Sequence, residues 1–140
     1  MKKLLCILVL YPLSLLVSQA QSDSTMFHAY IINKEYDVYL RINLYDNDIK
    51  VPGQELYGEL PGFLGKNHNS FCWLITDADV KDNTATLSMI NDYGSEDLTA
   101  SLTAKNDSTY VLKQLQGSTL KVPKNGKWQK LPKVLEFKKK

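Results

Sequence analysis

Covalent cross-links are the first thing this sequence is short of. Its 140 residues contain only two cysteines. One of them, Cys6, lies inside an apolar N-terminal stretch that reads as an export signal, so the rest of the chain keeps Cys72 alone. An intramolecular disulfide is thereby excluded for the exported chain, and its core must hold by packing. Beyond the N-terminal stretch nothing approaches the run of about 18 apolar residues that a membrane helix needs. No stable membrane insertion is expected once the signal is cleaved. The chain also lacks C-x-x-C spacing and any close pair formed by its two histidines, His28 and His68, so no zinc-binding nucleus is visible.

What is present at the N-terminus is organised. Lys2 and Lys3 supply a positive start, residues 4–17 are apolar apart from Pro12 and Ser14, and Ser18-Gln19-Ala20 offers the small residues that a signal peptidase reads. Cys6 comes early in the apolar stretch and does not follow a small-residue cleavage site, unlike the cysteine at which a bacterial lipoprotein is lipidated. The expected division is a signal at 1–20, a polar leader at 21–26, a single β domain at 27–138 and a basic tail at 139–140. The product is expected to be secreted or periplasmic. A chain of about 120 residues suffices for one core, burying roughly two thirds of the surface that the extended chain exposes.

Net charge is the next scarcity. The formal +2 comes from 17 basic and 15 acidic residues, and removing Lys2 and Lys3 with the signal brings the balance to zero. This argues against a uniformly basic nucleic-acid binder. The remaining charge is nevertheless segregated. Residues 21–109 carry six basic and 14 acidic side chains, whereas residues 110–140 carry nine lysines against the single acid Glu136. The lysines are either a solvated face with a frayed Lys138-Lys139-Lys140 end or a patch for an anionic partner.

Hydrophobic periodicity is that of strands. Residues 36–45 alternate Val38, Leu40, Ile42 and Leu44 against Asp37, Tyr39, Arg41, Asn43 and Tyr45. With the apolar run 27–33 and the turn at Lys34-Glu35 they form an opening hairpin. Asp46-Asn47-Asp48 and Pro52-Gly53 mark turns, and a third strand is expected at 55–60. The stretch 61–70, with Pro61-Gly62, Gly65 and a polar run to Ser70, reads as a loop. Strands are expected at 71–76, 84–90, 98–104, 108–116, 119–122 and 134–137, with 77–83 as a polar connection. Asn125-Gly126 marks a tight hairpin turn, and Pro132 places the last strand at an edge or gives it a late start. No amphipathic helix is visible. About 8–10 short strands spaced by turns predict an all-β antiparallel meander, and a small barrel is preferred over a two-layer sandwich because closure removes edges.

The candidate sites are weak by spacing. His68 and Cys72 combine a base and a nucleophile, but their four-residue separation bridges a loop and a strand. Asp77, Asp79 and Asp82 supply oxygen ligands in one connection without the offsets of a calcium loop. No catalytic, cofactor-binding or metal-ligating residue is therefore assigned, and no cofactor is expected. Asn106-Asp107-Ser108 matches a glycosylation acceptor whose use depends on the secreting cell. Aromatics are more suggestive. Tyr39 and Tyr45 fall on the polar side of the best-patterned strand, where they serve either as cross-strand packing or as a binding surface. Trp128 stands among Lys124, Lys127 and Lys130 just after the Asn125-Gly126 turn. These six residues form the candidate interaction surface.

The N-terminal signal, the segment from Ile32 to Leu40 and the final Gly126-Lys127-Trp128 together resemble small exported β-rich bacterial proteins of uncharacterised function. That resemblance implies no activity and no site residues. The reading that follows is an exported noncatalytic binding or interaction module. Its partner would be a protein, which it would neutralise in the cell envelope, or an envelope glycan or other anionic ligand. A structural envelope component and a small hydrolase are the alternatives.

Overall fold

Alternating side chains have to bury one face, and here the sheet does so by curling onto itself. The computed structural model describes residues 25–140, so the expected signal at 1–20 lies outside the described residues. Eight strands close an antiparallel barrel: β1 (His28–Asn33), β2 (Val38–Asn43), β5 (Gly62–Lys66), β6 (Cys72–Lys81), β7 (Thr84–Asn91), β8 (Asp97–Ala104), β9 (Thr109–Gly117) and β12 (Val134–Lys139). Each pairs with the barrel strand before and after it in the chain, and β12 returns to β1. The chain is thus an up-and-down meander, as the small-barrel expectation had it. Two ribbons interrupt the circuit: β3 (Ile49–Lys50) with β4 (Glu59–Leu60), and β10 (Lys121–Lys124) with β11 (Lys127–Lys130).

An eight-stranded barrel has an interior that inward side chains can just fill. Trp73, Tyr110, Phe27 and Phe137 are fully buried there together with Ile31, Leu40, Leu64, Leu87 and Met89. The two buried polar tips find backbone partners. The Trp73 indole N–H donates to the Lys121 carbonyl at 2.9 Å, and the Tyr110 hydroxyl donates to the Met26 carbonyl at 2.5 Å. On β7 and β8 the pattern is as read, with Ala85, Leu87, Met89, Leu98, Ala100 and Leu102 inside. Outward threonines pair across the strands, Thr84 Oγ1 lying 3.3 Å from Thr103 Oγ1.

Three segments differ from expectation. Residues 55–57, expected as strand, form a short 3-10 turn, and only Glu59–Leu60 pairs. The expected loop at 61–70 contains β5, buried on both faces. Its Leu64 enters the barrel, while Phe63 joins an outer cluster with Val51, Leu60, Cys72 and Leu74, under the β3–β4 ribbon. Gly62 and Gly65 look like turn glycines but serve close approach. A Cβ on Gly62 would strike the Arg41 carbonyl and Ile42, and one on Gly65 would strike the Tyr39 ring.

The third difference is β6, which runs through the expected connection to Lys81. Its register against β7 shifts between Ile75 and Asp77. Trp73 and Ile75 face inward before this bulge, whereas Ala78 and Val80 pack toward the core after it. One extra residue inverts the parity, so Asp77 and Asp79 face solvent. At the other end of the chain, β12 starts two residues after Pro132, the late start expected of it. It extends to Lys139, past the expected end at 137, and the Lys140 N–H donates to the Tyr30 carbonyl at 3.1 Å, so the terminal lysines are paired, not frayed.

The segment 118–133 closes the barrel end at which β6 begins. Leu120, Val122 and Leu131 are buried against the core. Buried Gln114 holds both ends of this excursion, accepting from Leu120 N–H at 2.8 Å and donating to the Pro132 carbonyl at 3.1 Å.

Because backbone and a packed neighbour oppose any side chain at position 62, Gly62→Ala is expected to cost about 1–3 kcal/mol, the usual range for overpacking. Urea unfolding of the two proteins checks this, and an unchanged midpoint would refute the close approach of β2 and β5.

Candidate functional site

Exposed aromatic residues gather where the capping segment meets the start of β6. Phe71 is the hub: buried itself, it lies 5.0 Å from the Trp128 ring, 6.0 Å from the Tyr93 ring and 6.4 Å from the Trp73 ring, centroid to centroid. The two outer rings are open to solvent, Tyr93 at 73% and Trp128 at 50% exposure. Trp128 meets Phe71 edge-on, at an interplanar angle of 72°, an arrangement that aromatic quadrupoles favour.

The surrounding turns are fastened by polar side chains. Asn69 Oδ1 accepts from Phe71 N–H at 2.8 Å. Buried Asn91 organises the turn that carries Tyr93, its Oδ1 accepting from Ser95 N–H at 2.9 Å and Glu96 N–H at 3.2 Å while its amide donates to Ser95 Oγ at 3.1 Å. Gln54 donates to Asp92, tying this turn to residues 51–58, where Leu56 is fully exposed and Tyr57 is 43% exposed. Lys121 bridges to Glu96 at 3.0 Å and stands 6.0 Å from the Trp128 ring centroid. Beside Phe71 opens a cleft of about 420 Å³ lined in part by Tyr39, Gln54, Phe63, Cys72 and Asp92.

The six residues singled out from the sequence do not share one surface. Trp128 belongs to the aromatic cluster, and Tyr39 reaches the neighbouring cleft, its ring 5.7 Å from Phe63 and 5.6 Å from Tyr30. Tyr45 follows β2 at the opposite end of the barrel, where its hydroxyl accepts from Phe27 N–H at 3.1 Å. Lys130 shares a ribbon face with Trp128 and Lys121, whereas Lys124 and Lys127 pair at the ribbon tip on the other face. Sequence reading missed Tyr93, Lys121 and the hub role of Phe71. For Tyr93 a signal existed, since an aromatic between Asp92 and Gly94 in a turn has little to bury against.

Cys72 and His68 are not arranged as a nucleophile and its base. Burial, with the Asp92 charge second, pushes the Cys72 thiol up to about 12, whereas a nucleophilic cysteine needs its thiolate near neutral pH. His68 is an exposed turn residue in the left-handed region, at φ 60°. His28 begins β1 at the barrel's other end. Among the described residues no group of three His, Cys, Asp or Glu side chains is placed to hold a metal ion. No protein-family model, curated protein or solved structure matches the chain.

The thiol shift has a sign that stability must follow. Unfolded, Cys72 ionises near its ordinary value of about 8.5, whereas folded it keeps its proton to far higher pH. The unfolded state then binds fewer protons across that window, so stability falls as pH rises, by at most about 1.4 kcal/mol per pH unit for one group. Burial raises Tyr39 and Tyr110 in the same direction, which steepens the decline at still higher pH. Urea midpoints at about pH 8 and about pH 10 are expected to drop more for the native chain than for Cys72→Ala. Equal drops would refute a buried, protonated thiol.

Proposed function

We propose that the chain is an exported, noncatalytic binding module that engages a partner protein of the cell envelope through its aromatic end. The observation that carries this reading is the pair of solvent-open rings, Tyr93 and Trp128, seated on the buried ring of Phe71. Exposed aromatics cost little conformational entropy to immobilise and contribute large contact areas, which is why Trp and Tyr are enriched among residues that dominate protein interfaces. Asn91 holds the turn that carries Tyr93 and Asn69 holds the backbone of the hub residue Phe71, so this part of the surface is organised before a partner arrives. Leu56 and Tyr57 extend the apolar area, while Lys121 and Lys130 set a basic border.

A hydrolase reading is disfavoured by the protonated, buried Cys72 and its separation in role from His68. Neutralisation of the partner would follow if the aromatic end covers that partner's own working surface. Export itself rests on the N-terminal pattern of residues 1–20.

The test starts with capture from the extracellular or periplasmic fraction on the immobilised chain, followed by titration of the purified captured protein. The double variant Tyr93→Ala, Trp128→Ala is expected to bind about tenfold or more weakly, as loss of interface anchors does, while still unfolding cooperatively well above the assay temperature, with a midpoint lowered by the loss of two ring contacts. Trp128 fluorescence is expected to shift on complex formation. Undiminished affinity in the folded double variant would overturn the assignment.

A further inference from the structure

The barrel closes through only a short pairing at one seam. β1 and β12 pair only through Ile31↔Lys139 and Ile32↔Lys138, with Lys140 N–H donating to the Tyr30 carbonyl beyond them. Toward the start of β12 the partner strand has ended, because β1 stops at Asn33 and the chain turns away through 34–37. What remains is a groove of about 780 Å³, within the size range of ligand-holding clefts.

The backbone parity of β12 decides what faces that groove. On the β9 side, Lys139 N–H donates to the Ser108 carbonyl and Gln114 N–H to the Lys133 carbonyl, both at 2.9 Å. In an antiparallel ladder alternate residues direct their backbone groups to opposite sides. Odd-numbered residues of β12 are therefore turned toward β9, and even-numbered ones toward the seam. Lys138 meets β1 there, but Val134 and Glu136 lie where no strand opposes them. The Glu136 carbonyl accepts from the Asn33 side-chain amide at 2.8 Å, which leaves the N–H groups of both residues and the Val134 carbonyl directed into the groove. The Val134 side chain is itself 55% exposed.

We propose that this seam takes up an extended acidic peptide segment of a partner as an added strand beside β12. Main-chain hydrogen bonds to Val134 and Glu136 would supply the pairing, as in strand addition to other open edges. Charge chooses the occupant. Lys34, Lys138, Lys139 and Lys140 line the groove against Glu35 and Glu136. The Lys138–Glu136 contact, at 3.9 Å between solvated side chains, is too weak to cancel the excess. A second copy presenting the same edge would set lysines against lysines, the device by which natural edges avoid self-pairing. An acidic strand meets the opposite situation. This surface uses none of the aromatic cluster's residues.

The experiment uses a fluorescent peptide of about seven residues alternating glutamate and valine, titrated by anisotropy at low salt. Saturable binding is expected, weakening as salt rises. Replacing its glutamates by lysine, or N-methylating alternate amides, is expected to weaken it about tenfold or more, because charge or hydrogen bonding is lost. Val134→Pro removes a seam-facing N–H while sparing the β9 ladder and is expected to do the same. Amide shifts of Val134 and Glu136 in the native chain provide a reading that does not require that variant to fold. Trp128→Ala is expected to leave the affinity unchanged, which separates this site from the aromatic end. The proposal is overturned by absent binding, equal affinity for the lysine peptide, unshifted Val134 and Glu136 amides, or loss of binding with Trp128→Ala. Concentration-dependent dimerisation of the chain alone that Val134→Pro abolishes would also overturn it, in favour of a second copy.

Discussion

The close approach of β2 and β5 is the constraint on which the rest of this barrel depends. An eight-stranded barrel has an interior just wide enough for side chains to fill, which sets neighbouring strands at hydrogen-bonding distance wherever they run side by side. Between β2 and β5 that distance is kept under crowded conditions, because β5 is buried on both faces. Gly62 lies against the Arg41 carbonyl and Ile42, and Gly65 lies beneath the Tyr39 ring. With no Cβ at either position, Leu64 can fill the interior while Phe63 and Tyr39 build an outer cluster with Cys72 and Leu74. The β3–β4 ribbon covers that outer cluster, and burial there is the main reason the Cys72 thiol ionises only well above its ordinary range.

Against this regular scaffold, the β10–β11 ribbon and the turn after β7 make one end chemically distinct. The β10–β11 excursion is bound to the barrel through Trp73 and Gln114, and it brings Trp128 over Phe71. The turn after β7 brings Tyr93 to the same hub. Loops on a rigid frame commonly carry recognition, and here the frame extends into the loops, since Asn69 and Asn91 spend their side chains on the turn backbones. The seam between β1 and β12 is a different kind of surface. It offers backbone groups and lysines where the aromatic end offers rings.

How much of this could be read in advance depended on whether parity was maintained. The β7 and β8 strands, with alternating small apolar and hydroxyl residues, were legible to within a residue or so of their ends. Strand β6 was legible only to Thr76, because the bulge there inverts the phase, and unbroken alternation would have sent Asp77 and Asp79 into the core. Strand β5 was hidden because glycine means a turn in a solvated segment and close packing in a buried one. Trp128 was legible as a candidate from its exposed hairpin. Its grouping with Tyr93 and Lys121, and its separation from Tyr45, were not, since residues distant in sequence meet only after closure.

The sequence by itself determined the all-β class, a single cysteine, Cys72, after residue 20, and the segregation of acid from lysine along the chain. Those properties follow from local periodicity and composition, which need no knowledge of partners. Only the tertiary structure decided that the sheet closes into a barrel, that the loop-like 62–66 segment is a central strand, and that Tyr93 and Trp128 share a hub. Alternation states which face of a strand is buried but not which strand it will lie beside. Pairing, and with it the proximity of distant side chains, is settled by how the whole set of strands can fill one interior.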